Sequence, residues 1–304
     1  MMSIICIGQC VYDITFPMED KLIENQKYRI YNKRECMGGP AGNASYVCGL
    51  FNQPTTLVAR IGDDLFGHEI IKTLHSVNVD TDYLLVQDNL NTSLSCIIVN
   101  ESNGHRTILN APLKQAETSL KLPQKEPKVI LVDGREYSTA LKAIQKYPNA
   151  LSILDGGTYR EELLPLIKEI DYCVISEDFA KQYTQMDIDI QNPQPLFEKL
   201  SEINKNVIVV TLGHLGSLFF KDNEITHIDA YKANVLDTTG AGDIFHGTFA
   251  YGINKDIPLV DTIKLSSLCA SISVERYGGQ TSVPTLEELK KRATEVAHEL
   301  VQYL

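Results

Sequence analysis

Short, uninterrupted apolar runs recur along this chain, separated by stretches whose apolar positions fall three and four residues apart. The runs lie at 4–7, 56–59, 129–132, 151–154, 173–175 and 207–210. A strand that is apolar on both sides is buried on both faces, the mark of a parallel sheet covered by helices. Between the runs, Ala44, Val47, Cys48 and Phe51 share one helical face, entered from Gly42-Asn43. Phe66, Ile70, Leu74 and Val77 form a second stripe, and helical patterns follow at 138–146, 161–169, 194–203, 259–276 and 285–303. Strands alternating with helices predict an α/β fold: a central, mostly parallel sheet with helices on both faces.

Two stretches break this rhythm. Residues 14–37 and 84–110 read as alternating or hairpin strands, for example 94–99 and 106–109 around Asn103-Gly104, a strong turn signal. They predict a small β lid beside the parallel sheet. There is no repeat of 20–50 residues and no long linker, so one α/β domain over 1–304 is expected, with that lid attached.

Composition narrows the partners. Lys and Arg number 28 against 39 Asp and Glu, a net charge of −11. A nucleic-acid or anionic-membrane binder needs a basic surface, so neither is expected. No apolar run approaches the ~18 residues of a membrane span. The opening Met1-Met2-Ser3 carries no basic region ahead of its apolar residues, so it reads as the approach to a first strand and not as a signal peptide. Seven cysteines, an odd number without a Cys-x-x-Cys pair, read as buried thiols in a reducing cytoplasm.

The chemistry is concentrated in Asp237-Thr238-Thr239-Gly240-Ala241-Gly242-Asp243. Leu236 reads as the end of a strand, and Phe245, Phe249 and Ile253 open a helix, which puts the glycines at the junction. Gly240 and Gly242 let the backbone approach a ligand, and the first helical N–H groups have no internal partner. That is an anion hole at the positive end of a helix, with Asp243 beside it. Donors that hold a phosphate next to a carboxylate that accepts a proton suit phosphoryl transfer to a hydroxyl. A P-loop and a strand-following Gly-x-Gly-x-x-Gly are both absent, which argues against P-loop enzymes and dehydrogenases.

This segment resembles the C-terminal signature of the ribokinase-like (PfkB) carbohydrate kinases. Gly38-Gly39-Pro40-Ala41-Gly42-Asn43-Ala44 resembles their N-terminal signature, and the likeness runs from Ile4 to about Pro284. It implies ATP-dependent phosphorylation of a hydroxymethyl group, with Asp243 as base and Gly240, Ala241 and Gly242 as anion hole. It also implies sugar contacts from Asp13, Gly39 and Asn43, and a nucleotide-side loop with Thr211, Gly213 and Gly216. A monovalent cation such as potassium is implied at Asp237, Thr239, Ser273, Gly278 and Ser282. A homodimer through the lid is a further family expectation.

One motif departs from the pattern. Ser176-Glu177-Asp178-Phe179 stands where many members carry Asn-x-x-Glu, which leaves Glu177 as the candidate for water-mediated contact with magnesium. This form, with Leu154-Asp155-Gly156-Gly157, is closer to the ketohexokinase and sulfofructose kinase branch. Arg135 emerges after strand 129–132, where open α/β sheets bind ligands. Arg106 lies in the lid hairpin, so an anionic sugar is expected beside the simpler expectation of a neutral ketose. Pairing of Arg135 with Glu136 or Asp155 is the competing expectation. His246 reads as a packing or solvent residue, and Asp63-Asp64 as a helix cap. The alternatives are a nucleoside kinase, with Tyr28, Tyr31 and Tyr83 available for stacking, and a catalytically idle sugar-binding regulator.

Overall fold

The computed structural model describes residues 3–19, 21–102, 106–113 and 120–304. The expected turn at Asn103-Gly104 lies outside the described residues. In chain order the strands and helices are β1 Ile4–Ile7, β2 Val11–Met18, β3 Arg34–Gly38, α1 Pro40–Leu50, β4 Thr55–Val58, β5 Arg60–Gly62, α2 Leu65–His75, β6 Val79–Asp80 and β7 Leu85–Gln87. There follow β8 Leu94–Asn100, β9 Arg106–Ala111, β10 Val129–Val132, α3 Tyr137–Lys146, β11 Leu151–Gly156, α4 Leu164–Ile167, β12 Tyr172–Ser176, α5 Glu177–Thr184 and α6 Gln194–Leu200. The chain closes with β13 Val207–Thr211, β14 Ser217–Lys221, β15 Glu224–Ile228, α7 Ala241–Asn254, α8 Leu259–Ser273 and α9 Leu286–Val296.

The expected apolar runs build a nine-stranded sheet in the order β15-β14-β13-β12-β11-β10-β1-β4-β6. It is parallel from β6 through β13, and β14 and β15 add an antiparallel edge. The pleat explains the unbroken apolar runs. Ile4 and Cys6 face the core shared with α1, α2 and α7, while Ile5 and Ile7 face the core under α3, α5 and α6. A third cluster packs α8 and α9 over the outer side of α7. Helix α7 is therefore buried from Ile244 to Asn254, sandwiched between sheet and helices, which fixes where its N-terminus points.

A second sheet has the order β3-β2-β8-β9, with β2 parallel to β8 and its other pairings antiparallel. The β5–β7 pair forms a short third sheet. Alternating burial along β2 and β8 shows that one face of the second sheet is covered. The six residues of β9 are all exposed.

Several sequence expectations are corrected. No strand ends at Leu236. The large sheet already closes at β15, and the Leu236 and Asp237 N–H groups donate to the Val274 carbonyl at the end of α8 instead (2.8 and 3.2 Å). The first helix starts at Pro40 and not at Gly42-Asn43, because Pro suits the first helical position. The 259–276 and 285–303 patterns shorten to α8 and α9, with a 3-10 turn at His298–Tyr303. The 161–169 pattern holds a 3-10 turn and the four-residue α4. Asp64 does cap α2, accepting from Gly67 N and Thr92 N at 2.8 Å each. Among the described residues no helix is long and apolar enough to cross a membrane.

Candidate active site

The loops that follow β1 and β10 line a common cavity with Ser93 ahead of β8 and Pro112 after β9. Gly240 caps α7 in the left-handed region (φ 73°), a conformation open to glycine at little cost. A Cβ there would also stand 2.8 Å from Gly279 Cα. The Ala241 N–H turns back to the Thr238 carbonyl at 3.3 Å. The first-turn N–H groups at Gly242 and Asp243 have no intrahelical acceptor and carry the positive end of a 14-residue helix dipole. An anion fits there.

Asp243, in that first turn, accepts from Asn43 Nδ2 at 2.7 Å across two hundred residues of chain. Burial first, and then the nearby Asp155 charge, push its carboxyl up to about 7, while Asn43 and His246 pull it down. A carboxylate titrating near neutrality is matched to accepting a proton from an alcohol. Asn43 is buried; its Nδ2 holds Asp243, and its Oδ1 has no protein partner.

Asp13 stands on β2, near enough to Asp243 for their charges to interact. It is 6 % exposed, and burial raises it to about 6 against a hydrogen bond from Ser95. The backbone makes room for it at Gly38, where a Cβ would lie 2.0 Å from Asp13 Oδ2. Gly39 caps α1 against the Gln9–Val11 backbone. The common cavity measures 330 Å³ and is lined among others by Gln9, Cys10, Arg60, Arg135, Glu136 and Arg160. Glu136 pairs with Arg60 at 2.9 Å, and Asp155 meets His246. Asp133, at the end of β10, accepts from Gln9 N (2.6 Å) and Arg135 N (2.8 Å), which fixes the start of the Arg135 loop.

On the other side of the anion hole lies a larger cavity of about 1130 Å³. Thr211, Gly213 and Gly216 line it, as do Ala241 and Gly242, so the glycine turn stands at its inner end. Arg106 on β9 donates to Thr238, which links the second sheet to the turn. Asp237 laces two loops, accepting from Thr239 N (2.9 Å) and Gly278 N (2.8 Å). Thr239 Oγ1 is buried without a partner. Ser273 and Ser282 donate to the carbonyls of Ala270 and Gly279. Glu177 lies in the first turn of α5 and pairs with Lys181 at 2.6 Å.

The sequence reading did not single out Arg60, Asp133 or Arg160, and it placed His246 as a packing or solvent residue. His246 is 3 % exposed and bonded at both ring nitrogens. Leu154-Asp155-Gly156-Gly157 was the available signal, since an acid at the end of an apolar strand requires a partner. Tyr31 is exposed and Tyr28 half-buried between β2 and β3, while Tyr83 packs against the core under α3. Six cysteines are buried, Cys96 is partly exposed, and all seven are free thiols.

Comparison with known proteins agrees with this geometry. The profile of the "pfkB family carbohydrate kinase" matches residues 1–286. A ribokinase from Staphylococcus aureus (strain COL) is 26% identical over 279 residues, covering 84% of this chain and 87% of that one. A ketohexokinase from Mus musculus is 26% identical over 283 residues, covering 86% and 92%. In fold, the chain is similar to a ribokinase of Cryptococcus neoformans var. grubii serotype A solved with ADP, with a TM-score of 0.81, 23% identity and coverage of 96% and 99%. Because the profile match runs from before the first strand through the loop that meets Asp237, the chain belongs to the pfkB family of carbohydrate kinases and is an ATP-dependent sugar kinase.

Proposed function

We propose that the protein transfers the γ-phosphoryl group of ATP to a hydroxymethyl group of a ketose-like sugar that also carries an anionic group. Asp243 is the base that takes the hydroxyl proton, and the Gly240–Gly242 turn holds the migrating phosphoryl group at the N-terminus of α7. The nucleotide lies in the 1130 Å³ cavity along Thr211, Gly213 and Gly216. The sugar lies against Asp13, Gly39 and the free oxygen of Asn43. A carboxylate accepts from two neighbouring hydroxyls, and the amide oxygen accepts from a third.

One observation carries the substrate class: Arg135 and Arg160 share the wall of the 330 Å³ cavity, which also includes Gln9 and Cys10 beside Gly39. Burial and the neighbouring Arg135 charge work against the charge on Arg160, while Glu162 (3.6 Å) and Asp133 favour it. Two like charges brought together in a cleft are stabilised by an anion between them, and a guanidinium fork fits carboxylate, sulfonate or phosphate oxygens.

The four-stranded sheet is then the lid. It supplies Asp13 from β2, and Arg106 of β9 already reaches Thr238 at the transfer site. Closure would exclude the water that competes with the sugar hydroxyl. Its exposed edge strand β9 is the surface through which a second copy would pair. The test is hydrogen exchange with matched anionic and neutral sugars. We expect the anionic sugar to slow exchange in 34–38, 94–100 and 133–136 at concentrations where the neutral one does not. Unchanged exchange at saturation with every sugar tried would contradict the lid, and equal protection by both types would contradict the anionic reading.

The cation set fits a hard ion. Asp237 is a buried charge, Thr239 Oγ1 lacks a partner, and the Ser273 and Ser282 hydroxyls spend their protons on carbonyls, which leaves oxygen lone pairs to face a cation. Together with Gly278 they would hold potassium beside the anion hole, where it supplies positive charge. Among the described residues no cluster of three metal-binding side chains occurs, and magnesium would come on the nucleotide's own phosphates. Glu177 would meet it through water after leaving Lys181.

A further inference from the structure

His246 lies one turn beyond Asp243, under the glycine turn. Its Nδ1 is 2.6 Å from the Gly242 carbonyl oxygen and 3.3 Å from Asp155 Oδ2, and its Nε2 is 3.1 Å from the Val174 carbonyl oxygen. A neutral imidazole has one N–H, so it would turn a lone pair onto a carbonyl oxygen at its other nitrogen. An imidazolium donates at both. Asp155 supplies the matching charge: it is 6 % exposed, and its Oδ2, buried without a hydrogen-bond partner, faces the ring only through this 3.3 Å charge contact. Burial drives the histidine toward neutrality and Asp155 up to about 8, with Asp133 adding repulsion. For the histidine, the carbonyls on both sides of the ring and the Asp243 charge oppose that drive.

We propose that Asp155 and His246 form a buried carboxylate–imidazolium pair that positions the Gly242–Asp243 peptide, on which the base and the anion hole are both built. The carbonyl that the ring grips belongs to the same peptide unit as the Asp243 N–H. A cation donating to that carbonyl polarises the unit, which strengthens the N–H as a phosphate donor, and pins the first turn of α7. The charged groups facing the cluster are Asp155 from β11, Asp133 after β10, Asp13 from β2 and Asp243 on the histidine's own helix. β12 contributes the Val174 carbonyl, and α1 the uncharged Asn43 amide. His246 thus brings positive charge into a ring of buried acids. Its charge favours ionised Asp243, and that of Asp155 opposes it. Both are positioning residues, and their effect on rate rests on the role proposed above for Asp243.

The pair itself is tested without any assay of activity. Nitrogen-15 NMR of the intact protein should show both His246 ring nitrogens protonated at about pH 8, where a free histidine is neutral. In Asp155→Asn the ring should lose its second proton at lower pH. A neutral tautomer at about pH 8 in the wild type overturns the proposal, whether or not Asp243 proves to be the base. In kinetics, His246→Asn should lower kcat about tenfold with the KM for sugar nearly unchanged. The acidic limb of its kcat/KM profile should move to higher pH, because Asp243 loses a favourable charge. An unmoved limb with unchanged kcat also overturns it, and if that variant fails to fold, the wild-type spectrum decides.

Discussion

Replacing Asp243 by Asn should leave a folded protein that still binds sugar and nucleotide but turns over about 10²–10⁴-fold more slowly, the usual contribution of a positioned general base. The amide has nearly the same shape, and its oxygen can still accept from Asn43, which holds Asp243 at 2.7 Å in the wild type. What it cannot do is take a proton from the attacking hydroxyl. The pH dependence follows from the same group. Asp243 titrates at about 7 because burial and Asp155 raise it, and only the ionised form is a base. Wild-type kcat/KM should therefore fall as pH drops through about 7, and the residual activity of Asp243→Asn should lack that limb. A folded variant that keeps more than half of wild-type kcat contradicts the assignment.

Arg135→Met should lose about 1.5–3 kcal/mol in kcat/KM on an anionic sugar, or about 10–150-fold, the worth of hydrogen bonds to a charged group. On a neutral sugar of the same skeleton it should lose little. Asp133 fixes the backbone of Arg135 (2.8 Å), and the Arg135 side chain lines the cavity wall together with Arg160. Methionine keeps an unbranched apolar stem and removes the charged head, so the difference between the two substrates isolates the guanidinium. Equal losses on both, or none on either, would sink the anionic reading.

The parallel sheet was legible because each core strand is apolar on both faces, a pattern that leaves little else for runs such as Val129–Val132. The edge was not: β14 and β15 mix exposed Glu and Lys with buried positions, and β5 is only three residues long. The chain around Leu236 reads as strand by composition, yet it bonds to α8, a partner that local pattern cannot name. At the site, Gly240 to Asp243 are contiguous, so spacing alone brings a hole and an acid together. Asn43 lies two hundred residues from Asp243, and only the packing of α1 on α7 joins them. Asp155 and His246 were invisible as a pair for the same reason. Asp155 at the end of an apolar strand signals a need for a partner, but only the fold, which buries both side chains in contact, says that the partner is His246.

The central claim is phosphoryl transfer from ATP to a sugar chosen partly by its charge. The most direct measurement is sugar-dependent ADP release by the purified protein with magnesium and ATP, across neutral ketoses and their carboxylate, sulfonate and phosphate counterparts. The account predicts one-to-one formation of ADP and phosphorylated sugar, with kcat/KM at least about tenfold higher for an anionic member than for its neutral match. A neutral ketose preferred by the same factor, or ADP release indifferent to every sugar, would contradict it.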